Sequence, residues 1–140
     1  MLVVLLLSIT DVMAVEWTSI VKDTAHEVFV DIDSYNVSDN HPYLITKTIY
    51  QEPQHFTLPN KKIKYFITVA KFQFNCQQPL YRLRTIKLMN KKNTLIDTIK
   101  INGGFQKIAT NTVKFSIRQI TCQDHQILGG TSHKKQKQLN

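Results

Sequence analysis

Two thiols and one run of cations are the residues in this chain with chemistry to offer. The thiols are Cys76 and Cys122. In an oxidising compartment a lone pair of thiols joins into one bridge. The chain-entropy model values closure of a loop of about 47 residues at ~4 kcal/mol, a large part of a small domain's stability. Two thiols alone make a poor zinc site, and no His stands at ligand spacing from them. A catalytic thiol would need a free Cys with a base beside it. The pattern points to a structural disulfide.

The cations gather between Lys61 and Lys87. They are Lys61, Lys62, Lys64, Lys71, Arg82, Arg84 and Lys87, interleaved with Tyr65 and Tyr81. If two strands carry them as a pair, they should crowd one end and one face of a hairpin. Such a surface holds sulfated glycans or acidic protein segments by charge, with Arg forks on carboxylates or sulfates. The candidate ligand-binding residues are therefore Lys61, Lys62, Lys64, Tyr65, Lys71, Arg82, Arg84 and Lys87. The same lysines also suit a solvated face that keeps an edge strand from aggregating. The whole chain is basic, with 18 Lys and Arg against 10 Asp and Glu and a net charge of +8, which favours acidic partners.

Other chemistry finds little support. The histidines at 26, 41, 55, 125 and 133 form no i,i+4 pair, so no metal is expected. Asp31 and Asp33 flank Ile32, a pattern better suited to a turn than to a catalytic carboxylate pair. Gly103-Gly104 is followed by neither Walker nor dinucleotide spacing. There is no G-x-S-x-G and no base placed for a nucleophile. We expect no enzyme activity, no cofactor and no metal. Nucleic acid is not an expected partner either, because no recognised motif accompanies the charge.

These residues need a scaffold, and the chain is long enough for one domain of 140 residues. Leu2 to Ile9 is an apolar run of signal-peptide length, too short to span a bilayer. Val12-Met13-Ala14 puts small residues at −3 and −1, so cleavage is expected after Ala14. No Lys or Arg precedes the run, and the rival reading is a buried first strand. Cleavage would remove Asp11 and raise the net charge by one. No later segment is long and apolar enough to cross a membrane.

Strand patterns then follow one another. Glu16 to Val21 and His26 to Ile32 are short strands, the second running into a turn at Asp31 to Ser34. Asp39 to Pro42 is a turn. Tyr43 to Gln51 is a strand, with Tyr43, Ile45 and Ile49 on one face. Glu52 to Asn60 contains Pro53 and Pro59 and reads as a loop. Ile63 to Cys76 is the longest candidate. Phe66, Ala70, Phe72, Phe74 and Cys76 share one of its faces, and Tyr65, Ile67 and Val69 the other. It reads as central, and the partner of Cys76 should pack on the phenylalanine face. Leu80 to Met89 and Leu95 to Ile101 are further strands. Thr112 to Cys122 fits two patterns. Val113, Phe115 and Ile117 alternate like a strand, whereas Val113, Ile117 and Ile120 form a helical stripe with Asn111 or Thr112 as N-cap. Composition leans to strand. Residues 127–140 read as a disordered basic tail. The sum is five or six antiparallel strands in a meander, with the closing segment pinned across by the disulfide.

These pieces, in this order, resemble the surface-adhesin protein E family. They are an early Trp17 strand, Val28-Phe29-Val30-Asp31-Ile32-Asp33-Ser34, a long strand ending Phe74-Asn75-Cys76, then Tyr81-Arg82-Leu83, and a closing Gln119-Ile120-Thr121-Cys122. The resemblance covers Trp17 to Cys122 and implies an α+β fold. Its six-stranded antiparallel sheet would carry one C-terminal helix, disulfide-linked to a central strand, which makes the ambiguous segment helical. The adhesin E-like domain would span 15–126, after a signal peptide at 1–14. It also implies a bacterial surface protein that binds host matrix or plasma components, so the expected partner is an extracellular protein or glycan. No Cys follows the apolar run, unlike in lipid-anchored members, which leaves periplasmic, secreted and surface forms open. The alternative reading is a periplasmic structural or accessory envelope protein. An exposed edge strand would allow a homodimer.

Overall fold

Alternation of apolar and polar residues sets the strands, and a computed structural model of the chain describes them over residues 14–123. The expected leader, save Ala14, and the expected tail lie outside the described residues. The strands are β1 (Thr18–Lys22), β2 (His26–Ser38), β3 (His41–Leu58), β4 (Lys61–Asn75), β5 (Leu80–Met89), β6 (Leu95–Lys100) and β7 (Gln106–Lys107). A helix, α1, occupies residues 113–123. Strands β1 to β6 form one antiparallel sheet in chain order, and β7 pairs with β5. This is the expected six-strand meander with a C-terminal helix.

Opposite residues of an antiparallel pair share a face. The face under the helix carries Val28 and Val30 from β2, Leu44 from β3, and Phe72 and Phe74 from β4. Ile117 and Cys122 of α1 and Ile108 close over them. The bridge joins Cys76, just past β4, to Cys122, with Cα atoms 5.5 Å apart. Arg118 reinforces it, donating from Nε to the Asn75 carbonyl (3.1 Å) and from Nη2 to the Cys76 carbonyl (3.0 Å). Thr112 is the N-cap, its Oγ1 accepting from the Phe115 N–H at 3.3 Å. The helix thus forms despite mediocre propensity, because Ile117, Thr121 and Cys122 share a buried stripe.

Glu52 to Asn60 is not the loop its prolines suggested. Strand β3 runs through to Leu58, and only Pro59-Asn60 turn the chain into β4. Pro53 is tolerated because the β3–β4 register jumps between Ile49 and Gln54, so that it sits in a bulge without a ladder partner. That bulge has a geometric consequence. Strand β4 passes beyond β5 after Ile67, where pairing with Met89 ends. Yet Lys61, six residues farther out, places Nζ 2.9 Å from Oδ2 of Asp97 on β6. The distal half of the β3–β4 hairpin must therefore bend back toward the β5–β6 end of the sheet. We call it the arm.

Candidate ligand-binding surface

The side of the sheet facing away from α1 can be read row by row from the strand register. One row runs Phe29, Lys47, Val69, Lys87 and Thr98. The next runs Asp31, Ile45, Lys71, Thr85 and Lys100. A third holds Tyr43, Gln73 and Arg82. Lys47, Lys71, Lys87 and Lys100 thus share this face, set among Ile45 and Val69. A shallow groove of about 170 Å³ lies there, lined by Ile45, Val69, Ala70, Lys71, Thr85 and Lys87.

Aromatic rings steady two of these lysines. Lys71 Nζ lies 3.6 Å from the centroid of Tyr43, and Lys47 Nζ lies 5.6 Å from that of Trp17. Such contacts add on the order of 0.5–1 kcal/mol at exposed sites. Within the paired rows of this face the acids are Glu27 and Asp31, both on β2, and Asp39 of the β2–β3 turn reaches Arg82 beside them. Glu27 is already engaged, accepting from Ser19 Oγ at 2.9 Å and lying 3.6 Å from Lys22 Nζ.

The eight candidate residues do not come together as one cluster. Strands β4 and β5 do pair, but the cations divide between the outward face, the register shift at Arg84 and the arm. Lys71 and Lys87 stand as diagonal neighbours on the outward face. Arg82 is engaged in the fold: Nε donates to Gln73 Oε1 at 2.8 Å, Nη2 lies 3.5 Å from Asp39 Oδ2, and the guanidinium stacks 4.6 Å from the Phe105 centroid. Arg84 falls at the register shift opposite Lys71/Phe72, and its carbonyl accepts from the Ile101 N–H. Lys61, Lys62 and Lys64 ride on the arm. Tyr65 is half-buried, its ring edge-on to Tyr50 at 6.1 Å. Burial pushes its phenol above the ordinary range, and the neighbouring Tyr50 adds to the shift.

Lys47 and Lys100 were missed by the sequence reading. Lys47 had a signal, since it interrupts the Tyr43, Ile45, Ile49 alternation with a cation. Among the described residues no three His, Cys, Asp or Glu side chains gather as a metal site would require.

The sheet, the helix and their bridge lie within residues 17–123, which match the sequence profile of a known family under the description surface-adhesin protein E. The chain belongs to the surface-adhesin protein E family. No curated protein and no solved structure matches it. As an adhesin E member it is of the exported or cell-surface type, and binding to extracellular ligands is the role its family carries. No helix among the described residues of this adhesin E domain is long and apolar enough to cross a membrane.

Proposed function

We propose that this adhesin E domain is exported and that its leader is cleaved after Ala14. Outside, it captures an acidic extracellular ligand, a host matrix segment or sulfated glycan, on its outward sheet face. The reading rests on one observation: Lys47, Lys71, Lys87 and Lys100 share that face around a groove lined in part by Ile45 and Val69, and the acids within its paired rows are on β2. Single exposed ion pairs are weak. A set of four on a rigid sheet binds a polyanion through their sum, without refolding. The domain acts by binding and performs no catalysis.

Capture on immobilised heparin and on an acidic matrix protein tests this. Lys71→Glu with Lys87→Glu should weaken capture about tenfold or more at low salt, with the difference shrinking as ionic strength rises. Equal capture by the variant and the parent would remove this face from consideration. Failure of the parent to bind, with recovery of an envelope complex from periplasm, would instead support the accessory role.

A further inference from the structure

The arm builds a second basic surface that the outward face does not use. Phe66 of β4 lies between two cations from different hairpins. Lys64 Nζ is 5.8 Å from its ring centroid and Lys91 Nζ, from the β5–β6 turn, is 5.7 Å away. Lys61 and Lys62 precede Lys64 at the arm's tip, and Lys92 follows Lys91. Over residues 51–66 and 90–97 there are thus five lysines against Glu52 and Asp97. Asp97 is itself occupied by Lys61. At the same end of the sheet β6 begins with two bare apolar side chains, Leu95 at 51% and Ile96 at 45% exposure. Leu95 stands across from Met89, which stands across from Ile67, so it lies at the arm end of the sheet on the outward side, and Ile96 follows it in the register shift.

Lysines alone would suit any polyanion. Lysines flanking exposed aliphatic side chains suit a surface that is anionic above and hydrocarbon below. A glycan chain offers no apolar layer for Leu95 and Ile96. We propose that the arm end of the domain docks on a bilayer rich in anionic phospholipid. The lysines contact headgroup phosphates, while Leu95 and Ile96 enter the interface. The outward face meets the bilayer only at its Leu95 end in this pose, and Lys47, Lys71, Lys87 and Lys100 in the middle of the sheet are not part of the contact. The proposal is independent of the ligand-capture reading.

Co-sedimentation of the oxidised domain with vesicles tests it, using pure phosphatidylcholine and mixtures with phosphatidylglycerol. Binding should appear only with phosphatidylglycerol and weaken as salt rises. Each lysine near an anionic leaflet contributes about fivefold in partitioning. Lys64→Glu with Lys91→Glu should therefore cut binding by more than tenfold, and Leu95→Ser with Ile96→Ser should cut it several-fold. Both double variants should keep heparin capture and the Cys76–Cys122 bridge, which separates docking from folding. Binding that ignores lipid charge, or that neither variant changes, would overturn the proposal. So would loss of heparin capture in the lysine variant with vesicle binding intact, because the arm would then be a glycan site.

Discussion

Gln73 of β4 accepts a hydrogen bond from Arg82 of β5 at 2.8 Å while its own amide donates to two carbonyls of the β2–β3 turn, those of Ser38 and His41. The side chain is 2% exposed. It is a buried polar group with partners for donor and acceptor atoms alike, and it connects three strands at one end of the outward face. Replacing it with Leu leaves those carbonyls and the Arg82 fork without their partner. Gln73→Leu should cost about 1–3 kcal/mol, read as a lower urea midpoint at unchanged slope. An unchanged midpoint would mean water replaces the amide without loss.

Acid should loosen the arm. Asp97 is held below the ordinary carboxylate range, chiefly by the hydrogen bond from Lys61 and next by the Thr98 N–H. Its folded pKa is depressed, so its contribution is present above the unfolded value and lost as pH falls through the folded one. The clasp is closed at neutral pH and opens in strong acid. Lys61→Gln should move the Asp97 midpoint upward in an NMR titration of side-chain carboxyls. A midpoint indifferent to Lys61 would show that the clasp is not formed in solution.

Removing the bridge should release the helix before the sheet. Cys76→Ser with Cys122→Ser should cost about 2–5 kcal/mol. Hydrogen exchange should rise first in residues 113–123, with β3 and β4 protected longest. Arg118 alone would then hold the helix to Asn75 and Cys76. Uniform loss of protection would show instead that helix and sheet unfold as one unit.

The β2–β3 turn depends on left-handed backbone. Asp39 and Asn40 have φ of 53° and 60° between the paired residues Ser38 and His41. This is the two-residue hairpin geometry that favours Asn, Asp and Gly. Asn40→Val should cost about 1–2 kcal/mol, and Asn40→Gly should be neutral or stabilising, as thermal melts would show. Equal melting of the two variants would mean that the turn relaxes freely.

Much of this fold was legible in the sequence because one face of the sheet is buried and a register slip would expose it. The phenylalanine face of β4, its central position and the docking of Cys122 on that face all follow from period-two alternation. The arm was not legible. Pro53 reads as a strand breaker, and only the register jump beside it shows that no ladder bond is lost there. Helix α1 was undecided from its own residues, since Val, Thr and Ile serve either state and the choice is made by the surface it covers. The cationic surface was half legible. Local density picked out Lys61 to Lys87, but a face of a sheet is assembled from alternate residues of several strands. Lys47 and Lys100 joined it from outside that window, while Arg82 was absorbed into the fold.

The strand order has a consequence for how such a chain can form. Each of β2 to β6 lies against the strand made just before it, with no crossover between them. The sheet can therefore zip up vectorially, one hairpin after another, at low loop-closure cost. The short β7 returns one strand to pair with β5, and α1 must travel farther back, to reach Val28, Val30 and Leu44, and the thiol partner waiting beyond β4. Oxidation then acts as a latch set last, locking in a sheet that was assembled without it.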